Sequence, residues 1–240
     1  MGNLFKNELK GWKRWEVSWL IAACLIITAL SVYWGETILG IVSATTGVAC
    51  VICTGKGKLS AYLFGLVNCA LYAYIAYQNK YVWEVALNTI YYIPMQFYGF
   101  YVWSKHMDNG TNEVIKRNMS VNGRIWMVVA AIIGTVGMGL ISRVLGGNLP
   151  YVDAMSTICS IIAMVISIRQ YVEQWWLWVW VDVITVGMYA YAFVNNGYNG
   201  FSTLLMWSVY LINAVVMLVK WQKEASARKN MSTKAAMVET

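Results

Sequence analysis

Gln174-Trp175-Trp176-Leu177-Trp178-Val179-Trp180-Val181-Asp182 opens an apolar segment that runs to about Asn195. On a helix, Trp175, Trp178 and Asp182 fall at i, i+3 and i+7 and share one face. Two indole rings then stand in line with one carboxylate, in a segment long enough to cross a bilayer. A carboxylate at that depth costs about 2.5–3.5 kcal/mol on insertion scales. Keeping one there calls for a compensating partner. The pattern points to a flat, cationic small molecule stacked on the indoles.

The rest of the chain has the composition of such a setting. Of 240 residues, 59% are hydrophobic and 12% are charged, against about 25% charged in globular domains. The apolar runs are continuous, whereas barrel strands alternate, so the chain is predicted to be an all-α integral membrane protein. Eight runs stand out: residues 17–34, 37–53, 59–77, 82–103, 124–145, 151–168, 175–194 and 200–219. Each is near the roughly 20 residues a transmembrane helix needs. The first is too long for the core of a signal peptide.

Charge placement supports eight transmembrane helices. With the N-terminus inside, all 18 Lys and Arg except Lys80 and Arg143 fall in cytoplasmic segments. That is the positive-inside pattern, and it puts both termini in the cytoplasm. The net charge of +7 is therefore topology, and no nucleic-acid partner is expected. The polar, basic end of the chain, 222–240, reads as a solvated, disordered cytoplasmic tail.

A weak internal repeat overlays spans two to four on spans six to eight. Shifted by 117, Tyr72, Ala73, Tyr74, Asn79 and Tyr81 fall on Tyr189, Ala190, Tyr191, Asn196 and Tyr198, and Gln96 falls on Asn213. Three helices, one linking span and three helices make a parallel repeat, a transporter plan with substrate held near mid-membrane between the halves. The expected organisation is an N-terminal cytoplasmic segment with an extra first helix (1–35) and a first repeat (36–104). A cytoplasmic loop with the linker helix (105–148), a second repeat (149–221) and the tail (222–240) complete it. Gly99 and Gly187 would let helices approach closely.

Enzyme chemistry finds no support. The one histidine, His106, lies in a loop beside Lys105 and Asp108. No nucleotide-binding loop, nucleophile elbow or zinc-protease motif occurs, so no cofactor, metal or catalytic residue is expected. Cys50-x-x-Cys53 has no second pair and reads as helix packing. The polar residues inside spans are Asn68, Glu84, Asn88, Gln96, Asp153, Asp182 and Asn213. Glu84 and Asp153 sit near span ends. Asn88, Tyr92 and Gln96 form an i, i+4, i+8 row. Asn68, Asn88 and Asn213 are candidates for substrate contact or for helix–helix hydrogen bonds of about 0.6–2 kcal/mol. Gln96 is read as a substrate contact facing its repeat mate Asn213. For Trp175 the rival to stacking is an interfacial aromatic belt; Trp178 lies a turn deeper.

Trp175-x-Leu177-Trp178-x-x-x-Asp182 resembles the Trp-x-Leu-Trp-x-x-x-Asn/Asp motif of the PnuC-type vitamin transporters. Gly57-Lys58-Leu59-Ser60-Ala61-Tyr62-Leu63-Phe64-Gly65-Leu66-Val67-Asn68 is similar to a second region of that family. Tyr92-Ile93-Pro94-Met95-Gln96-Phe97-Tyr98-Gly99-Phe100-Tyr101-Val102-Trp103 is similar to a third. The resemblance covers residues 36–220. It implies nicotinamide riboside uptake across the bacterial inner membrane, a SWEET-like core of three, one and three helices, and a homotrimer. It also implies facilitated diffusion, with phosphorylation trapping the substrate inside. Trp175, Trp178 and Asp182 would flank the ring, with Gln96 and Asn68 as polar contacts. Asp182 stands where members that carry nicotinamide riboside often have Asn. A carboxylate suits the pyridinium of nicotinamide riboside and the thiazolium of thiamine alike, so both substrates stay open. A ligand-binding sensor is disfavoured by the short loops, and a membrane scaffold would not need Asp182.

Overall fold

With no water at hand, an apolar run satisfies its backbone as a helix. The computed structural model describes residues 8–78, 85–146, 150–196 and 201–238 and is helical through the apolar runs. Eight helices lie among the described residues: α1 (Arg14–Tyr33), α2 (Ile38–Lys56), α3 (Ser60–Gln78), α4 (a π-helical stretch Leu87–Tyr92, then an α-helix Ile93–Ser104), α5 (Val121–Val144), α6 (Pro150–Ile168), α7 (Gln174–Asn196) and α8 (Phe201–Val238). Their starts follow local chemistry. Thr37 Oγ1 accepts the Gly40 N–H at 3.1 Å, and Ser120 Oγ accepts the Gly123 N–H at 3.2 Å; both are N-caps. The expected Glu84 and Lys80 positions, and Asn79, Tyr81 and Tyr198 of the repeat, lie outside the described residues.

Among the described residues, six helices are long and apolar enough to cross a membrane: α1, α2, α3, α5, α6 and the Leu204–Arg228 part of α8. In α4 the described α-helical part is 12 residues long. The tail expected to be disordered is instead the continuation of α8, which runs to Val238. Trp221 and Ala225 are buried, and Glu224 pairs with Lys116 at 2.7 Å, so the segment after the span is held by packing and charge.

The chain divides into two units, one of 1–115 with 189–213 and one of 116–188 with 214–240. In the first, Ala23, Ile27, Val48, Ile52 and Val209 form a buried core that joins α1, α2 and α8. The end of α2 carries two buried lysines, both fully engaged. Lys56 Nζ lies 2.6 Å from Glu16 Oε2 and 2.8 Å from Glu113 Oε1, and donates to the Gly11 carbonyl at 2.6 Å. Lys58 Nζ donates to the carbonyls of Lys10, Thr111 and Asn112 at 2.5, 3.0 and 2.9 Å. Glu16 also accepts the Lys13 N–H at 2.9 Å and so caps α1. Gly11 has φ +79°, and a Cβ there would meet the Thr111 carbonyl at 2.8 Å. The segment before α1 and the loop after α4 are thereby fastened to the end of α2.

In the second unit the core is Cys159, Ala163, Ile166, Leu177 and Val181, from α6 and α7, with Met127 and Trp178 packed on it. Glu173 accepts the Met119 N–H and pairs with Arg124 at 2.8 Å. Each unit, taken by itself, contains the same turn. Gly57 ends α2 at φ +80° and Gln170 follows α6 at φ +60°. Lys58 N donates to Cys53 O, and Tyr171 N to Ile166 O, each at 3.0 Å, the wider bond of a Schellman motif. One turn further on, Tyr62 meets Trp103 edge-on at 5.0 Å, and Trp175 meets Trp221 edge-on at 5.7 Å. Trp103 and Trp221 are both fully buried.

Lys56→Met would leave Glu16 and Glu113 buried beside each other without a counter-charge. We expect a loss of about 3–5 kcal/mol, read as a lower unfolding midpoint in detergent, with the exposed Lys223→Ala as a control that leaves the midpoint unchanged. Equal midpoints for the two variants would remove the lysine cluster from any role in stability.

Candidate functional site

The first unit builds a polar row on α2. Ser43, Gly47 and Val51 are four residues apart and share a face. Asn68 Nδ2 donates to the Ser43 carbonyl at 2.7 Å. Tyr210 lies against Gly47, where a Cβ would stand 2.3 Å from the Tyr210 hydroxyl and 3.0 Å from Asn68 Nδ2. Asn213 Nδ2 donates to the Val51 carbonyl at 3.0 Å, while its buried Oδ1 has no hydrogen-bond partner among the described residues. The row brings Asn68, Tyr210 and Asn213 onto one helix.

Gln96 lies on α3. A Cβ on Gly65 would come within 2.6 Å of its Oε1, and its Nε2 reaches Cys69 Sγ at 3.8 Å. Gln96 is held by α3 and Asn213 by α2, so the bonds that fix the two amides run to different helices rather than to each other. The expected row of Asn88, Tyr92 and Gln96 crosses the π-helical stretch, where Ile93 N donates to Asn88 O five residues back. A π-turn takes up an extra residue, so a spacing of four no longer keeps one face. Pro94 gives the local reason: it has no N–H for the carbonyl of residue 90. Asn88 itself is buried and engaged.

The second unit holds the tryptophan–aspartate face. Trp175 is buried and packs on Trp221, with its Nε1 unpaired among the described residues. It is thus a packing ring more than a belt residue. The outward indoles are Trp176 and Trp180, 58% and 56% exposed. They flank a cavity of about 640 Å³ lined also by Met127, Ile132, Met155 and Cys159, which includes neither Trp178 nor Asp182. Trp178 is half-buried at the edge of the apolar core. Asp182 is 3% exposed, and no hydrogen bond or ion pair engages its carboxylate among the described residues.

Comparison with known proteins decides what kind of machine this is. A family model described as nicotinamide mononucleotide transporter matches residues 37–223. The chain belongs to that family. It is a family of transporters and not of enzymes. The chain is 38% identical to the nicotinamide riboside transporter PnuC of Neisseria mucosa, over 91% of this chain and 85% of that protein. It is 30% identical to that of Haemophilus influenzae, over 92% and 95%. A crystal structure of the vitamin B3 transporter PnuC is similar with a TM-score of 0.81 and 36% identity, covering 94% of this chain and 98% of the other.

Sequence reasoning missed Ser43, Gly47, Tyr210 and Tyr62. A small-residue row at spacing four on α2 was the available signal for the first two. The two singled-out glycines diverge: a Cβ on Gly99 would stand 2.1 Å from Tyr62 Cε1, whereas Gly187 has nothing within 4 Å. Gly99→Ala forces a methyl into a ring already wedged against Trp103. It is expected to lose about 1–3 kcal/mol, measured by thermal unfolding in detergent, while Gly187→Ala holds or gains stability. A neutral Gly99→Ala would mean that the α3–α4 contact is loose.

Proposed function

We propose that the chain carries nicotinamide riboside across the bacterial inner membrane by facilitated diffusion, with phosphorylation inside the cell retaining the product. The supporting observation is the 38% identity, across 91% of this chain, to a protein named for that substrate. The family description names the mononucleotide instead. Charge favours the riboside: a phosphate monoester adds about 1.5 to 2 negative charges at neutral pH, and a site with Asp182 and no basic side chain on α6 or α7 would repel it.

In this reading all eight helices span the bilayer, both termini are cytoplasmic, the core is a SWEET-like parallel repeat, and three copies assemble. The repeated Schellman turn and edge-on aromatic pair support the repeat. Trp178 stacks on the pyridinium ring, Trp175 backs it, and Asp182 supplies the counter-charge. Gln96, Asn68, Asn88 and Asn213 supply hydrogen bonds. Thiamine is the second reading, because its thiazolium would suit the same carboxylate.

Trp178→Ala and Asp182→Ala are expected to abolish calorimetric binding of nicotinamide riboside to folded, purified protein. Undiminished affinity in both would defeat the site. Proteoliposomes loaded with substrate should exchange labelled nicotinamide riboside with no ion gradient; a strict requirement for sodium or protons would defeat the diffusion mechanism. Binding of thiamine but not of nicotinamide riboside would put the second reading first.

A further inference from the structure

Asp182 is buried, and no hydrogen bond or ion pair engages its carboxylate among the described residues. Its surroundings on α6 and α7 are apolar: Val181 and Leu177 belong to the core with Cys159, Ala163 and Ile166. Neither α6 nor α7 contains a Lys, Arg or His. On α5 the basic residues are Arg124, which pairs with Glu173, and Arg143 in the last turn. The buried lysines elsewhere are taken as well. Lys56 is held by Glu16 and Glu113, Lys58 by three carbonyls, and Lys116 by Glu224. A buried charge is tolerated when it is paired, and a cationic ligand would supply that pairing here.

Resting on the nicotinamide riboside reading, we propose that Asp182 makes the site select for a permanent positive charge in the ring, so that it accepts oxidised nicotinamide riboside and rejects the reduced dihydro form. The two forms share the ribose, the carboxamide and nearly the same outline. They differ in that the pyridinium carries a full positive charge and the dihydropyridine carries none. Stacking on Trp178 helps in the same direction, since an indole face attracts a cation more than a neutral ring. Shape and hydrogen bonding cannot separate the two forms; charge can. The consequence reaches past affinity, because such a carrier moves only the oxidised vitamin whatever the redox state of the medium.

The experiment is calorimetric titration of purified protein in detergent with oxidised and reduced nicotinamide riboside, on wild type, Asp182→Asn and Asp182→Glu. Wild type should prefer the oxidised form by about tenfold or more, the change that a difference of about 1.4 kcal/mol produces. Asp182→Asn, nearly isosteric and neutral, should bring the two affinities to within about twofold, chiefly by weakening the cation. Asp182→Glu keeps the charge and should restore a preference for the oxidised form. Equal affinities in wild type, or an unchanged preference in Asp182→Asn, would overturn charge selection and leave the transport reading standing. Failure of wild type to bind either form would take down the transport reading and this inference with it.

Discussion

A polar group in the hydrocarbon of a membrane has no water to fall back on. That constraint orders this molecule from backbone to site. It makes each apolar run a helix, and it sorts the side chains inside the helices by whether the protein answers them. Asn68 is answered by the Ser43 carbonyl and Asn213 by that of Val51. Lys56 and Lys58, where α2 ends, are surrounded by carboxylates and carbonyls. Asp182 is buried, with no partner among the described residues. A side chain with a partner contributes to the architecture at about 0.6–2 kcal/mol per hydrogen bond. One without a partner keeps its interaction for something else.

The two units repeat a local device more closely than they repeat a sequence. Gly57 and Gln170 both take the left-handed conformation after a helix, and both let the next residue's N–H bond back across the last turn. Glycine does this at little cost; glutamine does it at a cost of roughly 1–2 kcal/mol, and its side-chain amide is spent on the nearby Ile168 carbonyl at 2.6 Å. The aromatic pair that follows is Tyr62 with Trp103 in one unit and Trp175 with Trp221 in the other. The residue types differ while the ring geometry persists. A comparison by residue identity sees little of this, because packing conserves shape and direction before it conserves chemistry.

How much was legible follows from the same point. The start and end of α6 fell within a residue or so of the apolar run at 151–168, because hydrophobicity alone sets such a boundary. The tryptophan–aspartate face was legible because it rests on helical spacing within one element. The continuation of α8 was not legible. Polar composition read as disorder, and the burial of Trp221 and Ala225 and the Lys116–Glu224 pair are contacts with distant parts of the chain. Nor was the lysine cluster, since Lys56 and Lys58 look like ordinary cytoplasmic charges until Glu16, Glu113 and the 111–112 carbonyls are brought to them. The π-helical stretch broke a row that straight helical spacing had drawn through Asn88. Local pattern reached the faces of helices; it did not reach what folds onto them.

That Trp178 and Asp182 share α7 has a mechanical consequence. They are four residues apart, so they stand about 6 Å apart along the axis at 1.5 Å per residue. Both lie in the second unit, and their spacing is fixed by one helix rather than by a contact that can slip. In the proposed site, a pyridinium laid on the indole would have its charge within reach of the carboxylate by construction.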